Sequence, residues 1–355
     1  MEIFITKANR VKLKSVSINK EKIFNLEREI KDAGHKHHVC DSKEDLDKYL
    51  KESDLIITIN NIGAKKDDYI LEKINNSKKQ RGALPLTVLI VDDPELLNIN
   101  IGFNSYKEYM DKLDYLLLNN NLIPTRDYLL KKMVTRPILR DSLDTNFQIQ
   151  PCYLGSYRVD QNYKPWSKEQ IISEALPFLE RDKRLIYVGK LSSRASMVKD
   201  FDLNILDFAV IKKELENNKF PKAIEKLLLE PECGQVIKFE SRNERNEKAY
   251  LGKQMFSVFI QDLEHQELAF NTGRFTHGII RGMPSIRVND EVSEQFKFLP
   301  LVKKEIQKQF LSEMTENKWL SILEEQASYH FKKDAEFRNF LDKIEKQVKG
   351  IKNAN

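Results

Sequence analysis

The residues best suited to chemistry lie in one short stretch, Arg274-Phe275-Thr276-His277-Gly278-Ile279-Ile280-Arg281-Gly282-Met283-Pro284. Apolar runs flank it, with Phe256, Val258, Phe259 and Ile260 before and Ile286 and Val288 after. Such runs read as strands, so the stretch is predicted to be loop, short helix and Gly-x-Pro turn at the end of a parallel sheet. The positive end of that helix can face a diphosphate. Its side chains, Arg274 and His277 among them, can reach a ribose or a sugar. The plain alternative is a buried α/β loop that carries Arg and Gly-x-Pro for packing.

A second phosphate-ready segment is Gly189-Lys190-Leu191-Ser192-Ser193-Arg194, which follows a predicted strand, Leu185–Val188, and precedes a helix. Cations and hydroxyls so placed can hold a diphosphate, with Gly189, Lys190, Ser193 and Arg194 as the candidates. The segment lacks the GxxxxGK[ST] of a Walker loop, and an ordinary solvated loop is its other reading. Asp92 and Asp93 follow the apolar run Leu86–Val91, at the strand end where open α/β sheets place ligands. A carboxylate there can take a proton from an acceptor hydroxyl. It can equally be an Asp-Asp-Pro turn that caps the next helix. His35, His37 and His38 follow Gly34, but alternation along a strand splits their rings between faces, which favours a structural role over a metal site.

The elements that must position these groups alternate short strands with helical stretches, the sign of a parallel α/β sheet. Strands are expected at Ile3–Ile5, from Val39, and at Leu55–Ile59, Leu86–Val91 and Tyr115–Leu118. Ile23, Leu26, Ile30 and Ala33 recur at helical spacing between the first two, with Ser17 or Asn19 as cap and Gly34 as stop. Pro151 to Pro165 reads as a connection between domains. A second set runs through Leu185–Val188, a helix near Ala223–Leu229, Val236–Phe239 and Phe256–Ile260, and the chain is helical from Val302 to about Val348. The expected division is residues 1–160, residues 161–325, and a C-terminal helix over 326–355 that packs back on the first domain.

At 355 residues and 41.7 kDa the chain fits two domains of about 150–180 residues. No run approaches the ~20 apolar residues of a membrane span, and the start MEIFITKANRVK carries too short an apolar run for a signal peptide. Cys40, Cys152 and Cys233 form no CxxC, which points to a reducing cytoplasm and no zinc site. Net charge of +5 from 59 basic and 54 acidic residues permits a nucleic-acid partner without demanding one. Basic groups such as Lys78, Lys79 and Arg81 are either solvated faces or, near strand ends, a lining for DNA phosphates.

Taken together, these residues resemble the GT-B glycosyltransferases that glucosylate hydroxymethylcytosine in phage DNA. Arg274-x-x-His277 with Gly282-Met283-Pro284 resembles their donor-binding element, in which Glu stands at the His277 position. Tyr187-Val188-Gly189 through Arg194-Ala195-Ser196-Met197-Val198 resembles their diphosphate loop, and Asp93-Pro94-Glu95-Leu96 the segment of their proposed base. Asn9-Arg10-Val11 and Glu21 resemble the first loop and a Glu near the acceptor. The resemblance implies two Rossmann-like domains with an inter-domain cleft and a helical C-terminus. It also implies a UDP-sugar donor in the second domain and double-stranded DNA carrying a modified pyrimidine against the first. On that footing Asp93 is the base, with Asp92 one register away and Glu21 nearby, and Lys190, Arg194 and Arg274 stabilise the departing diphosphate. The chain is then a cytoplasmic monomer without a membrane partner, and nothing in it indicates a divalent metal. Two rivals stand beside this reading. One is a GT-B enzyme acting on a lipid, glycan or small molecule; the other is a non-catalytic DNA-binding protein that keeps the fold, for which His277 in place of Glu speaks.

Overall fold

The computed structural model describes residues 1–6, 20–40, 43–59, 68–91, 112–118, 147–152, 166–189, 200–213, 234–261, 273–333 and 335–354. Described residues of Met1–Leu154 and Asp334–Asn355 form one compact unit, and those of Gly155–Glu267 and Thr272–Lys333 a second.

The first unit is built on β1 (Glu2–Thr6), β2 (Lys36–Cys40), β3 (Leu55–Ile59), β4 (Leu86–Val91), β5 (Tyr115–Leu118) and β6 (Gln148–Pro151). They pair in the order β2-β1-β3-β4-β5-β6, and every pairing is parallel. The central strands are near-continuous apolar runs because helices cover both faces. Ile3, Ile5, Leu55, Ile57, Val88, Ile90 and Leu117 turn to one face, against Leu26 and Ile30 of α1 (Lys20–Asp32). Phe4 and Ile56 turn to the other, with Leu50 and with Ile74 of α3 (Asp68–Arg81), beyond α2 (Lys43–Tyr49).

The chain's last described helix packs on that first face. Phe337, Phe340, Leu341, Ile344 and Val348 recur at helical spacing and join its core. Polar clips fix the helix: Arg338 pairs with Glu29 at 2.8 Å and Lys352 with the buried Asp54 at 2.8 Å, and the Tyr115 hydroxyl donates to Gln347 Oε1.

The second unit holds β7 (Asp182–Val188), β8 (Leu206–Ile211), β9 (Val236–Phe239), β10 (Gln254–Phe259) and β11 (Ser285–Arg287), ordered β11-β10-β7-β8-β9 and all parallel. This is the doubly wound order, with the first strand of the set at its centre and the chain crossing from β9 to β10. Its helices are α4 (Lys168–Ser173), α5 (Arg242–Lys248), α6 (Gly273–Ile279), α7 (Gln307–Ser312) and α8 (Glu316–Lys333); the helix described above, α9, spans Ala335–Ala354. The expected helical tail from Val302 is therefore interrupted. A 3-10 turn occupies Lys304–Ile306, and α7 and α8 are separated at 313–315, where the Thr315 hydroxyl accepts from the Lys318 amide at 3.4 Å.

Trp319, Leu323 and Ala327 of α8 pack with Leu185, Phe208 and Phe256 on one face of this sheet. Gln326 on the same helix closes the edge strand β11 as a strand would, accepting from the Ser285 amide at 2.8 Å and donating to its carbonyl at 2.7 Å. The N-terminal edge is locked by Arg181. Its guanidinium lies over the Trp319 ring and donates to the carbonyls of Leu176, Gln254 and Gly282 at 3.0, 3.0 and 2.9 Å. Burial pulls its pKa down to about 10.

Candidate functional site

The strand order of the second sheet reverses between β7 and β10, and crevices at such points, beyond the carboxyl ends of the strands, are where doubly wound sheets bind ligands. Gly189 follows β7 there. The register pairs Leu185 with Phe256 and Ile186 with Ser257, so carried forward three residues it puts Gly189 level with Ile260. The Ile260 carbonyl accepts from Arg274 Nη1 at 3.3 Å. Thus the glycine after the central strand and an arginine of α6, distant in sequence, come to one sheet edge.

The helix that carries Arg274 ends where Gly-x-Pro predicts. The Met283 amide reaches the Gly278 carbonyl at 3.0 Å and the Gly282 amide the Ile279 carbonyl at 2.9 Å, the paired bonds of a glycine-terminated helix. Gly282 has φ +70°, and a Cβ there would lie 2.5 Å from Ala175 Cβ, so conformation and space both require glycine. Gly-x-Pro therefore serves packing.

His277 is buried, with Nδ1 3.3 Å from Arg281 Nη1. Arg281 also donates to the Glu247 carbonyl at 2.9 Å and to the His277 carbonyl at 3.3 Å. A guanidinium has donors only, so Nδ1 must accept and the ring is neutral with its proton on Nε2. Below α6 lies the buried Tyr250, which packs against Gly278. Burial raises the Tyr250 pKa, and the charges of Arg274, Arg245 and Arg281 around it pull the other way. The spacing from His277 to Arg281, one helical turn, was a readable signal for that pair. Nothing in the sequence marks Tyr250 and Arg245 as its neighbours.

Of the other sequence candidates, Lys190, Ser193, Arg194, Asp92 and Asp93 lie outside the described residues, as does the expected helix near Ala223–Leu229. Glu21 lies in the first turn of α1, and its side chain is outside the described part. The histidines after Gly34 go separate ways. His37 faces Glu27 and His38 faces Glu2, each at 3.5 Å, while His38 stacks on Tyr49 and His35 Nδ1 meets the amino terminus at 3.5 Å. Among the described residues, no group of three His, Cys, Asp or Glu side chains is placed to hold a metal ion. Lys78 pairs with Asp114 and Arg81 with Asp54, at the N-terminal edge of the first sheet. These two cations thus serve the fold at the N-terminal ends of the strands.

No family model matches the sequence, and no curated protein matches it. Solved structures do. The β-glucosyltransferase of phage T4 in complex with UDP-glucose superposes with a TM-score of 0.58 at 13% identity, over 97% of this chain and 99% of that one. An α-glucosyltransferase in complex with UDP gives 0.60 at 11% identity, over 97% and 98%. The α-glucosyltransferase with UDP and a 13-mer DNA containing an HMU base gives 0.57 at 11%, over 97% and 99%. The α/β fold of this chain, two parallel sheets with a helical C-terminus, is the GT-B fold of those enzymes.

Proposed function

We propose that this chain is a DNA glycosyltransferase that moves a sugar from a UDP-sugar to a hydroxymethylated pyrimidine in duplex DNA. The observation that carries the reading is Gly189 level with Ile260, whose carbonyl holds Arg274, at the reversal point of a sheet in a fold shared with UDP-bound glucosyltransferases. The second unit is then the donor domain and the first the acceptor domain. No described helix is long and apolar enough to cross a membrane. A cytoplasmic monomer meeting DNA is consistent with that.

In this mechanism the acceptor hydroxymethyl oxygen attacks the anomeric carbon of the sugar as the bond from that carbon to the β-phosphate oxygen breaks. Asp93, next but one after β4 in the chain, takes the hydroxyl proton, with Asp92 as its neighbour and Glu21 near the acceptor. UDP leaves with added negative charge on its phosphate oxygens. Arg274, Lys190 and Arg194 are the cations assigned to that charge, supported by Gly189, Ser193 and the Nε2–H of His277. A base inside a duplex is out of reach, so the target nucleotide must be flipped out. Asp93 acting as base requires inversion at the anomeric carbon.

Incubation with hydroxymethylated duplex DNA and a panel of UDP-sugars, followed by mass spectrometry of the nucleosides, tests this directly. A hexose or pentose mass gain confined to the hydroxymethyl base is expected. No gain with any donor, or transfer only to DNA-free acceptors, overturns it. Asp93→Asn should lower turnover by roughly 10²–10⁴ and leave UDP affinity nearly unchanged, with Asp92→Asn doing much less. A dead Asp92→Asn beside an active Asp93→Asn would move the base by one residue.

A further inference from the structure

Tyr187 lies in the second unit's core, yet its hydroxyl is buried without a hydrogen-bond partner among the described residues. Buried hydroxyls are nearly always paired, and leaving one unpaired costs free energy. Packing does not call for it. The ring belongs to the same buried core as Phe201, Phe208, Phe256 and Phe259, where a phenylalanine would fill the same space without the orphaned oxygen.

The hydroxyl is aimed at the crevice. A Cβ built on Gly189 would stand 2.6 Å from Tyr187 Oη and 2.9 Å from Cζ. The phenol therefore leans along β7 toward the C-terminal edge and ends level with the residue two positions on. Any side chain at 189 would displace it, so Gly189 is glycine partly because Tyr187 occupies that volume. Through the β7–β10 register the same level is that of Ile260, whose carbonyl fixes Arg274. The hydroxyl, the backbone of Gly189 and the Arg274 guanidinium thus come to one edge.

We infer that the Tyr187 hydroxyl is a further donor-site group, donating a hydrogen bond to a diphosphate oxygen of the sugar nucleotide. The inference rests on the UDP-sugar reading above. Phosphate, rather than a sugar hydroxyl, is the fitting partner because the group beside it at this edge is a guanidinium, and a phenol donates most strongly to an anionic oxygen.

Tyr187→Phe removes one oxygen and keeps the ring, and calorimetry with UDP and with uridine reads the result. UDP affinity should fall by about tenfold or more, the usual worth of a hydrogen bond to a charged group, while uridine affinity stays unchanged. Thermal stability should be unchanged or higher, because the variant no longer buries an unpaired hydroxyl. UDP binding within about twofold of wild type overturns the inference. So does a lowered melting temperature with UDP and uridine weakened alike, which would mark the hydroxyl as a structural group bonded to a buried water. A wild type that binds no UDP is a separate outcome, because it removes the donor-site reading itself and this inference with it.

Discussion

Two sets of polar groups at opposite edges of the second unit's sheet are held differently. At the N-terminal edge Arg181 gives its donors to three backbone carbonyls, and the buried Asp207 accepts from Arg184, from the Gln235 amide at 2.9 Å and from Gln254 Nε2 at 2.7 Å. At the C-terminal edge the Tyr187 hydroxyl has no partner among the described residues, and the partly buried Arg274 donates to the Ile260 carbonyl at 3.3 Å. At the first edge these two charged groups are held by protein partners, whereas at the second the buried Tyr187 hydroxyl is not. The lesson is that residues with similar chemistry should separate by effect, those of the first edge acting on stability and those of the second on ligand affinity.

The largest effect belongs to Arg181. Arg181→Met fills part of the volume but leaves three carbonyls, two of them in buried bonds, without a donor. We expect a loss of about 3–5 kcal/mol of unfolding free energy in urea titrations, while the protein that remains folded binds UDP as before. A stable variant that has lost UDP binding would break the division between the edges.

Protons should obey the same division. His330 on α8 is fully buried, and burial pushes its pKa down from 6.5 to about 4. The unfolded chain takes up that proton first as pH falls, so its contribution is whole above about pH 6.5 and is lost between there and pH 4, where it amounts to about 3 kcal/mol. The stability difference between wild type and His330→Gln should shift by about 2 kcal/mol between pH 7 and pH 4.5, at little change in UDP affinity. A pH-independent difference would show that His330 does not titrate with folding.

Much of this architecture was legible because buried parallel strands are written as apolar runs. Leu55–Ile59, Leu86–Val91 and Tyr115–Leu118 are strands over the residues expected. β8 was not, because Asp207 interrupts its run; only the fold supplies Arg184, Gln235 and Gln254 to pair that carboxylate. β6, Gln-Ile-Gln-Pro, was missed as well, since an edge strand needs neither apolar alternation nor every amide. At the site, Gly189 and the Arg274 stretch announced themselves by following strands. Tyr187 did not, because its meaning lies in an oxygen two residues along the strand from its own backbone, and periodicity shows only that the ring faces a core.

Arg274→Ala comes next in size. Its guanidinium is half-buried and its bond to the Ile260 carbonyl is long, at 3.3 Å, so the loss of thermal stability should be smaller than at Arg181. UDP affinity should fall by about 1.5–3 kcal/mol, the range for a hydrogen bond to a charged group. Calorimetry with uridine as the control places the loss on the diphosphate. Equal weakening of uridine and UDP would shift Arg274 from the phosphates to the nucleoside.

The smallest effect is the most discriminating, because it sets this chain against the family's Glu. With Nδ1 facing Arg281, the donor of the His277 ring is its Nε2–H, and a ligand atom that meets it must accept. His277→Glu exchanges that donor for a carboxylate one helical turn from Arg281, whose cation offsets part of the new charge. If His277 faces the diphosphate, the substitution should weaken UDP by about 0.5–1.5 kcal/mol, the net worth of one hydrogen bond, and leave uridine unaffected. His277→Gln, which keeps an N–H donor, should recover most of the loss. If instead His277→Glu tightens uridine and UDP alike, the position faces the ribose diol, as the Glu is expected to do in the family. The histidine would then be a weakened version of that contact rather than a change of partner.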